Sequence, residues 1–316
     1  MEHLASRRKL WYLISLIVMI PGLIALLFWG LKLGIDFTGG TLWELEFDQQ
    51  VATEEIREIL DSNGIEGGTI QISSGSGLQN NVALIRIAEL PEGSNLKIAL
   101  EDAFTQEIGT YTELDFATVG SSVSNTIRNR SILAIGLASV AILLYMAYAF
   151  RNTQNPTLYG LAAIIGMLHD ILIVLGVFAI LGRYFNVEVD ALFVTAILTI
   201  IGFSVHDTIV VFDRIRENLA RRAEVDFEKV VDYSLAQTLV RSLNTSLTVI
   251  FTLLALYLFG GGSTQNFVLA LLIGIICGTY SSIFNAAQLL VSWEKGEIQG
   301  LWHRLTGIFR RGAAPA

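Results

Sequence analysis

Six long apolar stretches constrain this chain more than any other feature. The first, Leu10 to Leu31, contains no acidic or basic residue, and about 20 apolar residues suffice for a helix to cross a bilayer. Further stretches run Ser131–Phe150, Leu158–Leu181, Ala191–Phe212, Ser242–Phe259 and Phe267–Trp293. A soluble protein can bury one such helix, but six would need a core with hardly any amphipathic covering. Only 16% of residues are charged, against roughly 25% in soluble domains. The expected fold is therefore an α-helical polytopic membrane protein with six transmembrane helices. Four prolines and 28 glycines exclude a collagenous or low-complexity chain. A single cysteine, Cys277, excludes an intramolecular disulfide and a cysteine-based zinc site. The net charge of −8 argues against nucleic acid as a partner.

Arg7, Arg8 and Lys9 precede the first stretch as in a signal peptide. The stretch is too long for an ordinary h-region and no small-x-small cleavage site follows, so an uncleaved signal anchor is expected. With residues 1–9 in the cytoplasm, 14 of the 21 Lys and Arg residues fall on the inside and 7 on the other side, the positive-inside pattern. The expected layout is a cytoplasmic N-terminus at 1–9, helix one at 10–31 and an extracytoplasmic domain at 32–130. Helices two to six occupy 131–293 with a cytoplasmic loop near 213–241, and 294–316 form a cytoplasmic tail.

The segment 32–130 carries 16 acidic and 6 basic residues, a net −10, which leaves +2 for everything else. Thr41–Phe47, Val82–Ile87 and Thr112–Val119 alternate like strands, and Thr69–Ile72 is a shorter one. Thr53–Asn63, with Thr53 as its cap, and Ser94–Glu107 have helical spacing, and Ser73–Gly77 is a turn cluster. The order β-α-β-β-α-β predicts an inserted α+β, ferredoxin-like domain.

Charges inside spanning helices are costly and usually functional. His169 and Asp170 fall midway along the third stretch, His206 and Asp207 in the cytoplasmic half of the fourth, and Arg241 opens the fifth. Arg241, Thr245, Thr248 and Thr252 form a polar stripe unsuited to lipid, and Ala270, Gly274, Gly278 and Ser282 form a small-residue stripe on the sixth. Asp207 and Arg241 start from the same side and can meet, as a proton relay or as a static pair that fixes helix register. Ser204 and His206 point to different faces of a helix, and no Gly-x-Ser-x-Gly elbow is present, so catalysis is not expected. Neither a metal site nor a cofactor motif is found.

Two segments resemble the SecF branch of the SecD/SecF protein-export family. Gly34-Ile-Asp-Phe-Thr-Gly-Gly40, which includes Asp36 and Gly39, is similar to the motif that opens that family's extracytoplasmic domain. Ser204 to Asn218 is similar to its fourth-helix signature, and His169-Asp170, Thr238–Ser246 and Leu256–Gly261 match in place. The resemblance implies half of an RND-type bundle that pairs with SecD in the bacterial plasma membrane. It implies work beside the SecYEG translocon and a YidC-type insertase, with the proton-motive force helping to draw an unfolded polypeptide across, and no enzyme activity. Asp207 and Arg241 match the family's intramembrane aspartate and arginine. His206 departs from the asparagine common at that position, which places a titratable imidazole beside Asp207. Gly34, Gly39 and Gly40 are candidates for hinge or tight-turn positions.

Overall fold

The computed structural model describes residues 4–74, 80–151, 153, 155–221, 224, 226–260 and 262–297. The chain divides into two compact units, Leu33–Leu133 and a helical unit made of the residues before and after it.

A short 3₁₀ turn, Ala5–Arg7, leads into α1, Arg8–Trp29. The smaller unit then follows the expected order. It comprises α2 (Ile35–Thr38), β1 (Gly40–Phe47), α3 (Thr53–Ser62), β2 (Thr69–Ser74), β3 (Asn80–Ile87), α4 (Asn95–Glu107) and β4 (Tyr111–Val119). The sheet order is β2-β3-β1-β4, with every pair antiparallel. Sequence neighbours β1 and β2 are thus separated by β3, the arrangement of a ferredoxin-like split unit.

Burial along β1 alternates strictly, so Trp43, Leu45 and Phe47 face inward onto Ile56, Ile59 and Leu60 of α3 and Leu100 and Phe104 of α4. Trp43 meets Phe104 and Phe116 edge-on, at centroid distances of 5.6 and 5.5 Å. Lys97 closes this core from one side. Its ammonium lies 3.8 Å from the Phe116 ring centroid and pairs with Glu113 at 3.1 Å and Glu101 at 3.4 Å.

Two local expectations change. The cap of α3 is Ala52 and not Thr53; Ala52 is extended, and its N–H donates to the Glu55 carboxylate at 2.9 Å, so a glutamate supplies the polar group that alanine lacks. Ser94 is itself the cap of α4, accepting the Lys97 N–H at 3.2 Å, and the helix starts one residue later than expected. Of the expected turn at 73–77, Ser73 and Ser74 belong to β2 and the rest lies outside the described residues.

The remaining helices are α5 (Ser121–Ala149), α6 (Pro156–Phe185), α7 (Ala191–Ala220), α8 (Phe227–Phe259) and α9 (Gly262–Ser281). A π-turn, Ser282–Ala286, joins α9 to α10 (Ala287–Glu294). Among the described residues, six helices are long and apolar enough to span a membrane: Ala5–Trp29, Ser121–Ala149, Pro156–Phe185, Ala191–Ala220, Phe227–Phe259 and Thr264–Glu294. About half of the apolar window of α6, of α7 and of the α9–α10 rod is buried, against 17% or less for α1, α5 and α8. The first set forms the core of the helical unit.

Both α7 and α8 outrun their apolar stretches. Helix α8 begins at Phe227, where Asp226 accepts the Glu228 N–H at 3.2 Å, so Arg241 lies well inside the helix and does not open it. Glu228, Lys229 and Asp232 end a hydropathy window without ending a helix, because charged residues propagate helix readily. Close crossings are made by glycines. A Cβ on Gly176 of α6 would lie 2.6 Å from the Cα of Gly22 on α1, and one on Gly274 of α9 would lie 2.3 Å from Ile200 of α7.

Candidate functional site: two linked carboxylates in the helix bundle

Asp170 on α6 is fully buried and takes three hydrogen bonds. Its Oδ2 accepts from Ser204 Oγ of α7 at 2.5 Å and from Ser281 Oγ of α9 at 2.7 Å. Its Oδ1 lies 3.0 Å from Nδ1 of His169. An ionised carboxylate only accepts, so with Asp170 ionised the imidazole carries its proton on Nδ1 and presents a lone pair at Nε2. Gly278 makes room for the cluster, since a Cβ there would stand 3.3 Å from Ser204 Cβ and 3.6 Å from Asp170 Oδ2.

Asp207 on α7 is the second buried carboxylate. Its Oδ1 accepts from Ser242 Oγ of α8 at 2.5 Å, and its Oδ2 accepts from Ser282 Oγ in the π-turn. Covalent neighbours join the two clusters. Ser204 and Asp207 are three residues apart on α7 and share a face, while Ser281 and Ser282 are consecutive. Consecutive helical residues point about 100° apart, so one serine turns to α6 and the other to α7. The π-turn begins where this division occurs, and such turns often mark functional positions in helices. A third polar contact, Ser246 Oγ to Thr279 Oγ1 at 2.6 Å, extends the seam between α8 and α9.

The two residues next in line to Asp207 and Ser242 face elsewhere. His206 is exposed and Arg241 is exposed, and among the described residues neither makes a hydrogen bond or ion pair with Asp207. The pairing of Asp207 with Arg241 expected from the sequence is therefore not formed here. Ser242, one residue along, is the member of α8 that faces α7. Arg241 shares the outer face with Thr245, Thr248 and Thr252. These hydroxyls donate to carbonyls of their own helix, on Arg241, Asn244 and Thr248, at 2.8–2.9 Å. The small-residue stripe of α9, in contrast, is packed inside, with Ala270 and Ser282 both fully buried.

At the start of the smaller unit, Gly34 is extended (φ −76°, ψ 176°) and caps α2, with Asp36 in the first turn. Gly39 and Gly40 have φ of 74° and 110°, and a Cβ on Gly40 would lie 2.7 Å from the Ile87 carbonyl oxygen. This pair makes a tight turn into β1, close against the end of β3. Of the serines that hold the carboxylates, the sequence singles out Ser204 only as a rejected nucleophile and Ser282 only in its stripe; the available signal is a serine three residues before Asp207 and a serine doublet in an apolar helix. Among the described residues, no group of three or more His, Cys, Asp or Glu is placed to hold a metal.

Residues 99–296 match the family model for the C-terminal region of the protein-export membrane proteins SecD and SecF, and residues 24–51 match the SecD/SecF GG motif. The chain belongs to the SecD/SecF protein-export family. It is 55% identical over 305 residues to a protein translocase subunit SecF of Thermobaculum terrenum, across 94% of this chain and 95% of that one. It is 36% identical to the SecDF subunit of Thermus thermophilus, covering 84% of this chain but 35% of the relative. The crystal structure of SecDF from Thermus thermophilus superposes with a TM-score of 0.78 at 31% identity, over 92% of this chain and 38% of that one. The chain thus spans nearly all of the SecF relative and little more than a third of SecDF. It is a multi-pass membrane component of protein export, built as an SecF-type six-helix bundle with an inserted α+β domain.

Proposed function

We propose that this chain pairs with SecD in the bacterial plasma membrane and uses proton flow to assist Sec-dependent export, with Asp207 and Asp170 as the groups that carry the proton. The observation that supports this reading most directly is the company these carboxylates keep. Among the described residues their partners are serine hydroxyls and one imidazole, with no arginine or lysine. A permanently charged carboxylate away from water needs a cation; among the described residues Asp207 has none beside it, and Asp170 has only the titratable His169. A serine can donate to a carboxylate or accept from a carboxylic acid, so each cluster keeps its hydrogen bonds in either state. One charge crossing the membrane contributes about 2.3 kcal/mol per 100 mV, enough to shift a two-state equilibrium more than tenfold.

Arg241 enters through rotation. Turning α8 by about 100° about its axis exchanges Ser242 for Arg241 opposite Asp207, replacing a neutral donor with a cation that favours the ionised acid. His206 stands in the same relation to Asp207 on α7, and His169 links Asp170 to the bundle's outer side. Gly39 and Gly40 are the turn through which the outer domain, residues 32–130, follows such a motion. SecDF relatives, in which a longer chain contains this region, support SecD as the partner. SecYEG, a YidC-type insertase and the exported polypeptide complete the proposed assembly. Both termini are placed in the cytoplasm by the 14 to 7 distribution of basic residues.

The test is Asp207→Asn as the only copy in cells and in proteoliposomes with SecD. It should insert and pair normally, yet lose stimulation of export by a proton gradient, with Asp170→Asn behaving alike. Export that still responds to the gradient in Asp207→Asn would overturn the proposal and leave the carboxylates a structural role.

A further inference from the structure

His169 has a second nitrogen that the carboxylate clusters do not use. The residue is 8% exposed, and among the described residues its Nε2 has no hydrogen-bond partner. The imidazole lines a cavity of about 340 Å³ between α1, α6 and the π-turn with α10, walled chiefly by Leu16, Met19, Leu168, Leu172 and Leu289. The other polar walls are engaged: Ser15 donates to Asn285 at 2.9 Å and Tyr12 is 3.1 Å from Ser292. Leu16 and Leu168 are 45% and 48% exposed, so the rim opens on the apolar outer surface of the bundle.

These features specify an occupant. A cavity of about 150 Å³ lined by aliphatic and aromatic residues stays dry and takes benzene, and a buried water needs two to four polar partners. This cavity is more than twice that size, and the wall atom that is fully buried and without a partner among the described residues is Nε2 of His169. With Asp170 ionised, the neutral imidazole gives its Nδ1 proton to that carboxylate and Nε2 is an acceptor, which takes a hydrogen bond from a hydroxyl. His169 lies 13 residues along α6, about 20 Å by helical rise, which is near the middle of a hydrocarbon layer about 30 Å thick. A phospholipid headgroup does not reach that depth without losing its hydration. We propose that the cavity binds a hydrocarbon-soluble phenol of the quinol class, its ring among the leucines and its hydroxyl donating to Nε2 of His169.

The test uses the full-length chain in nanodiscs, with 4-octylphenol as probe and its methyl ether, 4-octylanisole, as the control that lacks the donor. Only the phenol can satisfy this acceptor, so it should bind about tenfold more tightly than the ether at equal mole fraction in the bilayer, a difference of about 1.4 kcal/mol that lies within the roughly 1–3 kcal/mol cost of an unsatisfied buried group. With four histidines in the chain, ¹⁵N-histidine spectra read the site directly: the phenol should shift the Nε2 signal of His169 saturably and the ether should not. His169→Phe should erase the preference, and Met19→Trp, which fills the cavity, should weaken both ligands. Equal binding of phenol and ether, no saturable binding of either, or an unmoved Nε2 signal in the wild-type chain would overturn the assignment. None of these readouts depends on export or on a proton gradient.

Discussion

The crossing of α1 and α6 offers a quantitative test of the packing. Gly22 and Gly176 bring the two backbones together, and a Cβ added at Gly176 would stand 2.6 Å from the Gly22 Cα and 2.7 Å from its carbonyl carbon. Ordinary carbon contacts lie at about 3.5–4.0 Å, so Gly176→Ala requires the helices to part locally by about 1 Å. Neither obstacle is the flexible end of a side chain; both are backbone. Overpacking of this kind costs about 1–3 kcal/mol, and the better helix propensity of alanine returns about 0.5–1 kcal/mol, so a net loss of about 1–2 kcal/mol is expected. Gly160→Ala, on the same helix with nothing within 4 Å of its Cβ position, should be neutral or stabilising. Gly22→Ala meets Gly176 at 2.9 Å and should cost somewhat less. The double variant should cost less than the sum, because the second alanine enters a crossing that has already opened. Reversible unfolding of the full chain in mixed micelles, followed by circular dichroism, measures all four. Equal stability of Gly176→Ala and Gly160→Ala would show that the backbones do not meet at this glycine pair.

Gly274→Ala drives a methyl into the Ile200 side chain at 2.3 Å and should destabilise by about 1–3 kcal/mol; unlike the α1–α6 case, Ile200→Val should recover part of the loss, measured in the same assay. In the smaller unit, burial and the nearby Glu101 and Glu113 push the Tyr111 hydroxyl up to about 12. An unfolded chain ionises this phenol near pH 10, so the stability it contributes is complete below pH 10 and declines as pH rises towards 12. Tyrosinate absorbance should show a component titrating near pH 12 that Tyr111→Phe removes. Glu44 faces Asp115 directly across β1 and β4, and burial together with that neighbour pushes its carboxyl up. Glu44→Gln should therefore stabilise at pH 7 by about 0.5 kcal/mol, with the gain vanishing in thermal melts as pH falls through the carboxylate range, where Glu44 protonates in the folded state.

How much of this was legible in the sequence depended on whether a single element determines the feature. The spanning helices are visible because each is a long run with little or no charge, and β1 because Trp43, Leu45 and Phe47 alternate with Leu42, Glu44 and Glu46 on one element. Helix ends were less visible. Charges around Asp213 and Glu217 look like an exit from the membrane, yet Asp213–Arg216 at 2.5 Å and Glu217–Arg221 at 2.6 Å are pairs along one helix face that prolong α7. The carboxylates could be named, but their partners could not. Whether residue 241 or 242 faces Asp207 depends on the rotation of α8, and an apolar helix without a strong amphipathic face leaves that rotation to tertiary packing. Serine in a helix is likewise mute, since its hydroxyl is satisfied by its own backbone or by a neighbour with equal ease.

Two stripes of the same helical spacing show what packing adds to pattern. On α9, Ala270, Gly274 and Gly278 admit α7 to close range, and the following Ser282 reaches Asp207. On α8, Thr245, Thr248 and Thr252 lie exposed with their hydroxyls returned to carbonyls of the helix itself, so these threonines demand nothing from outside. Arg241 heads the same stripe and cannot do this, because a guanidinium has five donors and one helix offers it no matching acceptors. It stands 14 residues into α8, immediately before the apolar stretch that begins at Ser242, so its guanidinium lies at the boundary of that stretch, where a charge takes a polar partner or water. Asp207, across the α7–α8 contact, is held by Ser242 and Ser282. The exposed stripe therefore differs from the buried one in its one charged member, and on the proposed reading Arg241 turning inward onto Asp207, in place of Ser242, is the exchange that proton binding at Asp207 would control.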